Sequence, residues 1–154
     1  MKKSILPSAV AFIFMLTLTI KSFAQKDQLE KTWYTKENSS KVQMYLTQSG
    51  TYAGKIIWLK EPTDKDTGKP KLDKENPDAN KRSTPVLGMV IMTGFKKSPD
   101  NKDEYIDGKI YDPKNGKTYC GKVTFKGNTL DMRGYLCSLT FLGRTETWTL
   151  VEGQ

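Results

Sequence analysis

Histidine is absent from all 154 residues. That excludes imidazole-based serine and cysteine triads, a histidine general base and a histidine-ligated zinc site. Catalysis would fall to carboxylates, lysine or tyrosine, and nothing marks out a carboxylate pair for glycoside chemistry. The expectation is therefore a protein that is not an enzyme and needs no cofactor or metal. Cysteine is nearly absent, with only Cys120 and Cys137. A disulfide and two separate buried thiols compete evenly, and a catalytic thiol without an activating imidazole ranks below both. No basic block carries interleaved aromatics, so nucleic acid is not an expected partner. No segment shows a convincing helical apolar period, beyond a weak signal at residues 25–31. After the N-terminus, no run is apolar enough to span a bilayer.

The N-terminus is the exception. Lys2 and Lys3 precede a run from Ile5 to Ile20 that is apolar apart from Pro7, Ser8 and two threonines. Ser22 and Ala24 then stand where a signal peptidase reads small residues, predicting a secretory leader over 1–24 cleaved before Gln25. The 16-residue run is shorter than the roughly 20 residues a spanning helix needs. No cysteine at the cleavage point offers a lipid attachment. The expected location is periplasmic or secreted, an oxidising setting that permits a disulfide. Losing the leader's three lysines from 25 basic residues leaves 22 against 17 acids, a net +5. Residues 25–154 make one domain with one core, and their mixed charges read as a solvated surface.

What remains is strand and turn. Segments 33–35, 41–47, 51–59, 86–95, 104–111, 117–126, 129–136 and 143–151 read as eight strands separated by Gly, Pro, Asn and Asp. An even number of sequential hairpins lets first and last strands meet and removes exposed edges. The predicted fold is all-β, an antiparallel up-and-down barrel of about eight strands. Taking Gly127 and Asn128 as a two-residue hairpin loop pairs Lys126 with Thr129, Phe125 with Leu130 and Cys120 with Tyr135. Cys137 shares the face of Tyr135, so the cysteines become diagonal neighbours, ~7–8 Å apart before adjustment. Glycines at 54, 88, 108, 121, 134 and 143 fall in or beside strands, as bulges and tight coiling require.

The connection from Lys60 to Thr84 is long for a compact domain. Asp64, Asp66 and Glu75 superficially match a calcium loop, but Gly68 falls at the fifth position instead of the sixth. Interleaved lysines also neutralise the acids, so a turn-rich surface excursion is the stronger reading.

Trp33 opens the first strand and Arg144 lies in the last. Barrel closure would bring their strands together, and an arginine over an indole is worth roughly 0.5–2 kcal/mol. The arrangement resembles the calycin superfamily of lipocalins and fatty-acid-binding proteins, although Lys31 replaces the usual glycine two places before the tryptophan. On this reading Arg144→Ala destabilises the fold and spares any ligand site.

Several stretches together resemble the bacterial domain of unknown function 2147 family: residues 54–60 (GKIIWLK), 72–78 (LDKENPD), 87–88, 108–119 (GKIYDPKNGKTY), 132–135 (MRGY) and 142–148 (LGRTETW). The resemblance implies a small exported protein with a calycin-like barrel and no assigned activity. Arg82, Arg133, Arg144, Asp73, Asn76, Asp112 and Tyr119 match family positions, with structural roles expected for Trp33, Arg144, Asp112 and Tyr119. A ligand cavity is expected to draw on Tyr52, Trp58, Tyr105, Tyr111, Arg133 and Tyr135, whose rings and polar ends suit a small apolar or amphipathic ligand such as a fatty acid or envelope lipid. The competing reading is a barrel filled by its own side chains that docks an envelope protein partner.

Overall fold

The structure is a computed structural model that describes residues 26–153; the expected leader and cleavage point lie outside them. Eight strands follow in sequence: β1 (Thr32–Tyr34), β2 (Ser40–Leu46), β3 (Tyr52–Leu59), β4 (Val90–Lys97), β5 (Glu104–Asp112), β6 (Lys117–Phe125), β7 (Thr129–Leu136) and β8 (Leu139–Leu150). Each pairs antiparallel with the next, and β1 pairs with β8 to close the barrel. This is the expected up-and-down architecture. The closing seam is short, joining Trp33 to Leu150 and Tyr34 to Thr149.

Local chemistry explains most of the elements. The Lys126 N–H donates to the Thr129 carbonyl across the Gly127-Asn128 loop at 2.9 Å. The register then runs unbroken from Phe125–Leu130 to Cys120–Tyr135, as counted from the turn. Strand ends moved where tertiary contact overrode the pattern. Residues 86–89 are not strand; Val86 and Met89 instead pack against the core, and β4 begins at Val90. β8 starts at Leu139, four residues before the expected Gly143. Residues 28–31 form turns, while short 3-10 turns occur at Lys36–Asn38 and Ala79–Lys81.

One barrel end is plugged by the segment before β1. Leu29 is fully buried beneath Trp33, whose indole Nε1 donates to the Leu29 carbonyl at 3.2 Å. Gln28 donates to Asp103 in the β4–β5 connection. Lys97 bonds Asp27 at 2.7 Å, and the Tyr105 hydroxyl bonds the same carboxylate. The other end carries the β1–β2, β3–β4, β5–β6 and β7–β8 connections.

Candidate functional site

The half of the barrel nearest the plug is filled. Val42, Met44, Met92, Phe95, Val123 and Leu130 are buried together there. Glycines make room for them. A Cβ on Gly108 would lie 2.4 Å from the Phe95 ring, one on Gly121 2.7 Å from Ile110, and one on Gly54 2.7 Å from the Met44 sulfur. Glycine in these strands thus admits large inward side chains, a close approach rather than a bulge requirement.

Around the barrel the crowding stops at β7 and β8. Gly108, Gly121, Gly134 and Arg144 face one another across β5 to β8. A Cβ on Gly134 would meet only Ile110 and Tyr119, at 3.8 and 3.9 Å, so this row faces the interior. Directly paired residues share a face, so Arg144 stands on the inner face beside Gly134. By the two-residue alternation of a strand, Glu146 and Trp148 follow it inward, opposite Met132 and Leu130. Arg144 is exposed and Glu146 half-buried, and neither side chain has a hydrogen bond or ion pair among the described residues. Trp148 is 4% exposed, and its indole N–H is buried without a hydrogen-bond partner. Three successive inward positions of one strand therefore carry polar ends that the protein leaves unpaired. At the rim, Leu136 and Leu142 remain 43% and 47% exposed.

This overturns the expected Trp33–Arg144 pair. Trp33 lies opposite Leu150, six residues along β8 from Arg144, a strand length of roughly 20 Å. Trp33 instead meets Phe125 edge-to-face at 6.1 Å, and Lys31 lies over that Phe125 ring.

The six residues expected to line a cavity do not converge. Tyr52 and Tyr105 are buried, stacked edge-to-face at 5.2 Å. Burial, with nearby Asp27, pushes the Tyr52 hydroxyl up to about 12 and raises Tyr105 further. Both belong to the plugged end. Trp58 is on the outside because Ile57 is an extra residue in β3: Val42 pairs with Ile56 but Lys41 pairs with Trp58. Its indole meets Tyr34 edge-to-face and lies beneath the Lys41 ammonium at 5.4 Å. Arg133 and Tyr135 alternate out of phase with Gly134, so they face outward, and Arg133 donates to the Thr140 carbonyl at 3.2 Å.

Tyr111 serves the long connection. Its hydroxyl bonds both Asp73 carboxylate oxygens, at 2.7 and 2.9 Å, and Asn76 Nδ2 donates to Asp73 at 2.6 Å. Burial and the Asp73 charge push the Tyr111 hydroxyl up to about 12. Asp73 is completely buried, so the connection is pinned to the barrel at that point. Elsewhere it uses local bonds, as expected of a turn-rich segment: Asp64 accepts from the Thr67 N–H, and Asp78 from the Asn80 N–H. Lys74 pairs with Asp64 at 2.6 Å. The neighbouring β5–β6 turn is held by Asp112, which accepts from the Lys114 N–H at 2.9 Å and the Asn115 amide at 3.0 Å. The same amide donates to the Tyr119 hydroxyl. Asn115 thus links Asp112 and Tyr119 at this turn.

Cys120 and Cys137 form a disulfide, with Cα atoms 5.0 Å apart. It lies on the outer face, tying β6 to the turn between β7 and β8. The diagonal placement counted from the hairpin needed no bulge between β6 and β7.

Comparison with known proteins adds the family. Residues 31–150 match the model of a family described as "Uncharacterized protein conserved in bacteria (DUF2147)". The chain belongs to this family. Among curated proteins none matches. A DUF2147 barrel of this kind also resembles a solved structure, protein HP1028 from the human pathogen Helicobacter pylori, described as belonging to the lipocalin family. The two are 26% identical with a TM-score of 0.68, and the match covers 82% of this chain and 85% of the other. The lipocalin-like barrel is thus common to both.

Proposed function

We propose that this DUF2147 protein is exported and binds a small amphipathic ligand with an anionic head, such as a fatty acid, across the open end of its barrel. The single observation that carries this reading is the inner face of β8 above the filled half, where Arg144 and Glu146 have no hydrogen bond or ion pair among the described residues. The filled plugged half favours a ligand lying across the rim over one threaded down the barrel. Arg144 offers a fork of donors suited to a carboxylate, and Leu136, Leu142 and Ile110 offer apolar surface beside it. The lipocalin family membership ascribed to HP1028 is compatible with small-ligand binding. A disulfide fits an oxidising compartment, and no helix among the described residues is long and apolar enough to cross a membrane.

Titration with a fluorescent fatty acid tests the reading. Arg144→Gln is expected to weaken binding roughly 10- to 100-fold, the worth of a charged hydrogen bond. Glu146→Gln is expected to tighten it by removing a like charge. No binding by the native protein, or equal binding by Arg144→Gln, would sink the proposal. It would favour docking of an envelope partner instead, for which Phe141, 74% exposed near the hairpin tip, is the natural contact.

A further inference from the structure

Lys109 on β5 lies beside the disulfide on the outer face. Its ammonium is 2.9 Å from the Cys120 sulfur and 3.2 Å from the Cys137 sulfur. It has no carboxylate partner among the described residues; the nearby Asp107 pairs with Lys96 instead. A disulfide sulfur is a weak acceptor, so the lysine gains little from the oxidised bond. A thiolate in the same place would be an ion pair. The ammonium therefore favours the state in which the sulfur–sulfur bond has opened, because cations beside a cysteine stabilise its thiolate.

Access is one-sided. Cys137 is exposed in the hairpin turn, whereas Cys120 is half-buried within β6. We propose that Cys120–Cys137 is a thiol–disulfide exchange site for a dithiol reductant, assisted by Lys109. The reductant's thiolate attacks the Cys137 sulfur and forms a mixed disulfide there. The Cys120–Cys137 bond breaks, and Cys120 leaves as a thiolate held by Lys109. The reductant's second thiol, as its thiolate, then attacks its own first sulfur, releasing Cys137 as a thiolate. The reductant departs as a disulfide, and two electrons have passed to the pair.

The location gives the exchange a consequence. β8 is bound along its length by β7, but β1 meets it only at Thr149 and Leu150. The disulfide is the one covalent tie on the β7–β8 hairpin tip among the described residues. Opening it frees residues 137–142 to fray, Leu142 among them and Arg144 two residues beyond. Any effect on ligand affinity rests on the rim reading given above; the exchange itself does not.

The test follows thiol release by dithiothreitol, with maleimide mass tagging of the native protein, Lys109→Met and Lys109→Arg. Lys109 is exposed, so both variants are expected to fold, which near-ultraviolet circular dichroism checks. Lys109→Met is expected to slow reduction about 3- to 10-fold, with Lys109→Arg recovering most of the rate. Reduction of Lys109→Met at the native rate, or an equal loss in Lys109→Arg, would overturn the assignment. Amide hydrogen exchange at 139–144 should quicken on reduction. Unchanged protection there would overturn the fraying and leave the exchange chemistry standing. Neither readout uses a ligand, so failure here is distinct from failure of the binding proposal.

Discussion

Gly116 ends the β5–β6 turn at φ +67, and a Cβ there would sit 1.8 Å from the Glu75 carbonyl oxygen. The long connection passes directly over the turn and leaves no space for a side chain. Gly116→Ala must distort the turn and lift residues 73–76, and the positive φ alone costs about 1–2 kcal/mol. A lower urea midpoint, with faster exchange at the Asp73 amide, is the expected result. Tyr111→Phe tests the same anchor from the barrel side. It removes the hydroxyl that bonds both Asp73 oxygens and leaves a buried carboxylate short of donors, at a cost of about 1–3 kcal/mol by denaturant unfolding. At this scale the sequence was partly legible. Asp73 stood out as a family position, but its burial depends on Tyr111, 38 residues away, and no local pattern records that contact.

Among elements, the plug before β1 gives a pH prediction. Partial burial raises Asp27, but Lys97, the Tyr105 hydroxyl and the Leu29 N–H outweigh it and hold the carboxyl below its usual value. A depressed carboxylate contributes stability that is complete above the unfolded value of about 3.9 and is lost as pH falls through the folded one. Urea midpoints should therefore drop below about pH 4, and Asp27→Asn should flatten that acid limb while lowering stability at pH 7. A native limb identical in the variant would remove Asp27 from the account. The β8 strand makes the opposite point about expectation. Arg144→Ala is now expected to change stability by no more than about 0.5 kcal/mol, as an exposed residue does, while Trp33→Ala costs about 3–5 kcal/mol. Equal losses in thermal unfolding would revive a Trp33–Arg144 contact.

For the whole molecule, the disulfide closes a loop between residues 17 apart, which chain-entropy arguments value at about 3 kcal/mol. A Cys120→Ala, Cys137→Ala variant should unfold at correspondingly lower urea and still form the barrel. Strand number, strand order, antiparallel pairing and the β6–β7 register were determined by the sequence itself, because turn chemistry and two-residue alternation are local and the chain connects each strand to its neighbour. The diagonal placement of the cysteines followed from that register by counting. Only the tertiary structure decided which residues share an environment. One extra residue in β3 turned Trp58 from the inner face to the outer. The β1–β8 register set Trp33 against Leu150 and left Arg144 six residues along the strand, and a connection folded back to bury Asp73. Each depends on a bulge, a strand register or a contact between distant segments, where packing of the closed barrel outweighs any preference written in neighbouring residues.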